Sequence, residues 1–450
     1  MMRQLSVWFL GIGLLIASVG CGGGGGRRRP PLGEGLTRAL PLEAGNAWHL
    51  RTLGGQSDDT GSPAWPISVY GPVSFHGHSA YAIEDFRERV ILYVSSTSHG
   101  IRYYGRRNLA DQQNPDEWLV PPGYIPDDVL PREWDEQPVM IMSNAGSTYG
   151  YFVYEVPGFE DIDTPAGAFA DTYAIGFGAG DDSGAVPDVL LNLAPDVGIV
   201  YVTSWGEPGV ARSAGVPLQP RTATAVERML TSAYVAGYGI GADGGQRYNV
   251  SACFPLHDGD LRQFVGTEPW SQTVSGPTSF AGYEDVFLLD EGLQSPRAEY
   301  WRVEPGIGIQ LLGQEEAAQA SVRGAGQRRW LSRHAAGQRS RAPIVFAPPW
   351  ELPDGIRIGE FADYVVPDQS GDIERNVLVD VATVSVPAGT FPNCLVYVAS
   401  LRDPDGPEWD RLLHTYAPGI GPVRVYFPAD MSGWELSYAR IAGVEYGSSP

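Results

Sequence analysis

The chain has 450 residues, and 53 Asp and Glu against 31 Lys and Arg give it a formal net charge of −22. Every basic residue is arginine, and so acidic a chain lacks the basic face that nucleic acid or an anionic lipid surface would call for. A hydrophobic content of 43% allows a real core, while 57 glycines and 37 prolines favour many turns over long helices.

The first element in chain order is an address. Arg3, the apolar run from Leu5 to Ile16 and the small residues Ala17 to Gly20 have the layout of a secretory signal. The run is short for a membrane span. Cys21 follows the small residues directly, and the whole segment resembles a bacterial lipoprotein signal. The resemblance implies that residues 1–20 are removed and that Cys21 becomes an N-terminus carrying lipid, palmitate included. The other reading is ordinary secretion with Cys21 as a bystander. Residues 21–35, with Gly22 to Gly26, Arg27 to Arg29 and Pro30-Pro31, read as a flexible tether. Glycine after the cysteine implies, by the same resemblance, the outer membrane, facing the periplasm or the cell surface.

The body that follows is written twice. Pro41-Leu42 and Gly45 recur as Pro255-Leu256 and Gly259, and Gly71-Pro72, Ser74-Phe75 and Gly77 as Gly276-Pro277, Ser279-Phe280 and Gly282. Pro165-Ala166-Gly167 with Phe169 recur as Pro387-Ala388-Gly389 with Phe391. Ala194-Pro195, Gly198 and Val200 recur as Ala417-Pro418, Gly421 and Val423, and Ala236-Gly237 as Ala442-Gly443. The order is kept, at offsets of 214, 205, 222, 223 and 206, which places two tandem modules at 36–242 and 243–447.

Within each module the pattern is that of strands. Tyr149 to Val156, Val377 to Val386, Leu395 to Val398 and Val423 to Phe427 are rich in β-branched and aromatic residues, between Gly, Pro and Asn/Asp turns. The expectation is an all-β chain of two modules of curved antiparallel sheet, half-barrel or sandwich-like, with few short helices. Only Ala223 to Ala233 and Gln314 to Arg341 suit a helix. The second stretch carries a net charge of +4 and reads as a solvated insertion.

Three motifs carry a wider resemblance. Pro41 to Trp48 (PLxxGNxW), Val386 to Cys394 (VPAGTFxNC) and Tyr416 to Val423 (YAPGxGxV) together resemble a family of poorly characterised bacterial secreted proteins and lipoproteins. The family implies an extracytoplasmic β-rich domain and no established reaction. The copies depart from each other where Thr172 faces Cys394 and where Arg262 replaces Trp48. A more distant similarity, of fold only, is to half-open β-barrels that carry lipoproteins or lipids.

Candidate chemistry is sparse. The residues shared by both copies are turn formers and core fillers, with no Asp, Glu, His or Arg among them. There is no Gly-x-Ser-x-Gly elbow, no His-Glu-x-x-His stretch and no lysine for a phosphate loop. His76 and His78 have the spacing of two metal ligands on one strand face, but Ala281 and Tyr283 stand there in the second copy and no third ligand is apparent. Asp403, Asp405, Glu408 and Asp410 offer oxygen to calcium, although a hairpin turn explains them better. Beyond Cys21, only Cys253 and Cys394 remain, and a disulfide between them or two buried thiols are both open.

The functional expectation is a non-enzymatic cell-envelope lipoprotein acting as a binding or scaffold module, with no cofactor. Its partners would be the membrane, through the N-terminal lipid, and another envelope protein or a hydrophobic ligand, not nucleic acid. The alternative is a carrier of a hydrophobic ligand in a half-open β-barrel, supported by 12 Trp, 22 Tyr and 15 Phe. A metal-dependent or hydrolytic enzyme ranks below both.

Overall fold

A computed structural model describes residues 35–53, 64–113, 115–128, 133–181, 189–204, 226–267, 269–291, 297–316, 344–365, 372–403, 408–427 and 432–448. Cys21, the signal and the tether lie outside them. Gly35 to Pro450 form one compact unit.

After a single-turn helix α1 (Leu36–Ala39), the first copy contributes thirteen strands. They are β1 (Ala47–Thr52), β2 (Ala64–Phe75), β3 (His78–Asp85), β4 (Val90–Thr97), β5 (Gly100–Asn108), β6 (Asp116–Pro126) and β7 (Glu133–Ser143). There follow β8 (Gly146–Thr164), β9 (Gly167–Asp181), β10 (Val189–Ala194), β11 (Gly198–Ser204), β12 (Val226–Val235) and β13 (Tyr238–Gly241). Each pairs antiparallel with the next, and β12 also pairs with β1, so the sheet closes on itself and hides its edges.

A 3-10 turn at Val250–Cys253 precedes the second set. It comprises β14 (Leu261–Gly266), β15 (Trp270–Phe280), β16 (Tyr283–Glu291), β17 (Arg297–Glu304), β18 (Gly308–Glu316), β19 (Ile344–Pro353) and β20 (Phe361–Val365). The remainder are β21 (Ile373–Val386), β22 (Gly389–Arg402), β23 (Glu408–Ala417), β24 (Gly421–Phe427), β25 (Ser432–Ile441) and β26 (Val444–Gly447). Here β14 pairs with β25 as β1 does with β12, and β19 and β20 are the two ends of the path. The protein is all-β, two similar curved antiparallel sheets in tandem.

The duplication holds at the level of single pairs. Tyr151 faces Gly180, Gly158 faces Ala174 and Thr164 faces Gly167 in β8–β9. At an offset of 222, Ile373 faces Arg402, Asp380 faces Val396 and Val386 faces Gly389 in β21–β22, with bulges at the same two places. The turns repeat as well. Ala236-Gly237 (φ 49° and 88°) and Ala442-Gly443 (φ 48° and 80°) have the left-handed backbone of two-residue hairpin turns.

Equivalent positions in the two copies fasten the closure, with different side chains. Asn46 Oδ1 accepts the N–H of Ala236 at 2.9 Å, and Asp260 Oδ1 accepts that of Ala442 at 2.8 Å. Each ties the start of a copy to its last hairpin. Trp48 Nε1 donates to Val197 O at 2.6 Å. Arg262, in the tryptophan's place, donates through Nε to the equivalent carbonyl of Ile420 at 2.9 Å, and through Nη2 to Pro255 O at 2.8 Å. The Ala-Pro-x-x-Gly motif follows from this packing. A Cβ on Gly198 would lie 2.4 Å from the Trp48 ring, and one on Gly421 2.8 Å from Arg262.

One expected element is corrected. Ala223 to Ala233, read as suiting a helix, contains most of β12. Its Met229 to Ser232 segment bonds to β1, and other parts bond to β11 and β13. Three strand partners outweigh a helix preference of a few tenths of a kcal/mol per residue. Of Gln314 to Arg341, the first three residues end β18 and 317–341 lie outside the described residues.

Candidate functional site at the seam between the two sheets

The two sheets meet along the outer faces of β2–β3 and β20–β22. Strand alternation sends Ile67, Val69 and Ile83 inward, leaving Ser68, Tyr70 and Glu84 to face out. On the other side Arg375, Val377 and Val379 alternate with Glu374, Asn376 and Leu378, so one face of β21 meets the first sheet and the other its own interior. Trp65 and Phe86 pack on Val377, Val379, Val396, Val398 and Leu413, a core that belongs to both copies.

A buried ionic group lies within this apolar contact. Glu84 is 1% exposed. It accepts from Arg375 Nη1 at 2.9 Å and from Arg402 Nη2 at 3.0 Å. Arg375 also grips Asp363 with two bonds of 2.7 Å and lies 3.8 Å over the Phe361 ring. Ser400 Oγ supports Arg402 at 2.8 Å. Burial pushes the Glu84 carboxyl pKa up, but Arg402 and Arg375 together outweigh it, and the net shift is down. At the rim, Arg89 meets Glu408 at 3.1 Å, and Arg411 donates to Phe86 O at 2.5 Å while lying over Trp65.

Beside this lock is a shallow cleft, lined by His49, Ser232, Tyr234, Asp243, Arg357 and Ile358 among others. His49 Nε2 is 3.5 Å from Asp380 Oδ1 across the seam. Burial lowers the imidazole pKa against the pull of Asp380, which favours the neutral ring. Arg357 lies 3.6 Å over Tyr234 of the other copy, and Ser68 Oγ donates to Gly359 O at 2.7 Å. A His–Asp pair suggests general-base chemistry, which needs a hydroxyl free to be activated. The hydroxyl beside His49 Nδ1, that of Thr231 at 3.2 Å, donates its proton to His49 O at 2.8 Å. The Thr231 hydroxyl is thus committed to a carbonyl, and His49 Nε2 is buried without a hydrogen-bond partner among the described residues.

The residues singled out from the sequence lie elsewhere. His76 is not on a strand face with His78; it has φ 44° and makes the β2–β3 turn with Gly77. Its ring stacks on Trp118 at 3.7 Å, and Nε2 meets Asp116, which Arg107 holds bidentately. His78 stacks on Tyr104 at 4.7 Å. Both pin the hairpin to its own sheet. Among the described residues no group of three or more His, Cys, Asp or Glu side chains is placed to hold a metal. Glu408, offered as a calcium ligand, begins β23, is 3% exposed and faces arginines, while 404–407 lie outside the described residues. Cys253 and Cys394 are separate buried thiols, the second donating to Phe391 O at 3.2 Å.

A further divergence lies inside the second copy. Phe152 and Gly123 pack together in the first interior, where a Cβ on Gly123 would lie 2.4 Å from the Phe152 ring. Register places Glu374 and Trp350 at those positions in the second. Trp350 Nε1 donates to Glu374 Oε1 at 2.6 Å, and Asn376 Nδ2 to the same oxygen at 3.0 Å. Burial nevertheless pushes the Glu374 carboxyl up to about 7.

Sequence reasoning missed Glu84, Arg375, Arg402, His49, Asp380 and Glu374 because it looked for chemistry in what the copies share. The signal was in what they do not share. Arg375 and Arg402 stand where the first copy has Val153 and Gly180. Searches against protein-family models, curated proteins and solved structures found no match to this chain.

Proposed function

We propose that the protein is a non-enzymatic lipoprotein of the cell envelope that works as a rigid binding or scaffold module held to a membrane through Cys21. The observation that carries this reading is the seam. Its buried ionic group of Glu84, Arg375 and Arg402 holds two copies of one fold in a fixed relation, as a scaffold requires. Equivalent positions in the two copies support the reading too, since Asn46, Asp260, Trp48 and Gly198 serve closure and packing.

Metabolic labelling with an alkyne analogue of palmitate tests the anchor. The wild-type chain is expected to take up label and fractionate with the outer membrane, and Cys21→Ser to do neither. A wild-type chain that is exported without label would end the lipoprotein reading. Carriage of a hydrophobic ligand is the weaker alternative, because Trp48, Phe152 and Tyr154 already fill the first interior, and Trp301, Trp350, Tyr397 and Tyr416 fill the second. Solvent extraction of native protein checks it, and one equivalent of lipid beyond the N-terminal acyl chains would restore it.

A further inference from the structure

The outer face of β6–β8 carries a row of apolar side chains that face one another across the strands. Val120 pairs with Met140, and Met140 with Tyr149. They are 49%, 36% and 50% exposed. One register step to one side Trp118 pairs with Met142, and to the other Pro138 pairs with Tyr151, whose ring meets Tyr149 edge-on at 5.6 Å. Isolated exposed apolar residues need no explanation, but three in contact with aromatic flanks form a patch. The second copy repeats the exposure, with Val345 at 50% and Val365 at 59% in the places of Trp118 and Pro138.

We propose that this face of the first sheet rests on the uncharged lipid bilayer that holds the N-terminal lipid. The proposal depends on the reading of Cys21 as the anchor. Its first support is where the chain enters the fold. The N–H of Leu36 donates to Asp127 O at 3.2 Å and that of Thr37 to Asp127 Oδ1 at 2.7 Å. Asp127 directly follows β6, the strand that carries Trp118 and Val120. From Pro126 back to Val120 along the strand is about 20 Å. The fourteen residue steps from Cys21 to Gly35 have a mean reach of about 21 Å and a limit near ~48 Å. A lipid on Cys21 therefore keeps the row within tether length of the bilayer.

Residue type is the second support. Trp and Tyr favour the level of the headgroups, and Met and Val the acyl boundary beneath. Charge selects the lipid. Of the flanking charged residues in register on this face, Glu136 in β7 and Glu155 in β8 are acidic, Arg107 in β5 is neutralised by Asp116, and the chain carries −22 overall. Such a face is repelled by anionic headgroups and suits zwitterionic ones.

The row contains its own reporters. Met140 and Met142 oxidise to sulfoxides at rates that follow exposure, and Met229 in β12 serves as the internal reference. The full-length acylated protein is placed in phosphatidylcholine vesicles and treated with dilute peroxide, beside the full-length Cys21→Ser form in buffer. Met140 in the acylated protein is expected to oxidise at least about threefold more slowly, with Met229 unchanged. The double variant Val120→Ser/Tyr149→Ser is expected to lose that protection while keeping its acyl chains. Acylated protein whose Met140 reacts as fast as in buffer overturns the docking and leaves the anchor standing. Protein whose N-terminal peptide has no acyl mass overturns the anchor, and the docking with it. Protection that appears without vesicles and grows with protein concentration also overturns the proposal, and assigns the face to a second copy of the chain.

Discussion

Glu374 takes the buried position that Phe152 fills in the first copy. Trp350 and Asn376 both donate to Oε1, and the side chain is buried, so the ionised form places a charge in the core. With the folded pKa raised from 4.5 to about 7, the unfolded chain releases this proton first. Its contribution to stability is present below pH 4.5 and is lost as pH rises through about 7. The loss is about 3 kcal/mol. Gln offers the same acceptor without the proton, so Glu374→Gln is expected to be more stable than wild type at pH 8 and equal to it at pH 4. Denaturant titrations at the two values measure this. The cysteines make a second residue-scale prediction. Burial pushes the Cys253 thiol up to about 12 and the Cys394 thiol up to about 11. Neither should be alkylated at pH 8 in the native protein, and both should react after denaturation without reductant. A mass showing neither alkylated after denaturation would instead reveal a disulfide.

At the scale of elements, one side-chain oxygen fastens the last hairpin of each copy to its first strand. Asn46→Ala and Asp260→Ala each leave an N–H without its acceptor, that of Ala236 or Ala442. Each is expected to cost about 1–3 kcal/mol, read as a lower thermal midpoint. Gly198→Ala should cost more than a surface substitution does, because the added carbon meets the Trp48 ring and the residue sits at φ 90°. Much of this level was legible in the sequence. The duplication, the strands and the turns at Ala236-Gly237 and Ala442-Gly443 came from shared glycines and prolines, which act locally. The strand at Val226–Val235 was not legible, because its partners β1 and β11 decide its conformation. The exchange of Trp48 for Arg262 read as a departure between the copies, and Arg262 makes the tryptophan's hydrogen bond with a guanidinium nitrogen.

At the scale of the whole molecule, the seam decides whether the two sheets unfold together. Glu84→Ala leaves two guanidiniums facing a buried space, and removing one member of a buried ionic group costs about 3–5 kcal/mol. Calorimetry should show one transition in the wild type and two in the variant. The depressed pKa of Glu84 gives stability that is present above the ordinary carboxylate range and fades as pH falls through it, so acid should separate the two transitions in the wild type as well. None of this was legible from the chain, because which outer faces of two similar sheets meet is a matter of long-range contact. The meeting has a direction. The first copy offers the face of β2–β3 and the second the face of β20–β22, front to back. Units that join front to back give closed rings or open filaments when the joint repeats. The matching strands of the first copy have Val153 and Gly180 in place of the two arginines. The guanidiniums that receive Glu84 therefore belong to the second copy, and the first copy of the same chain already occupies them.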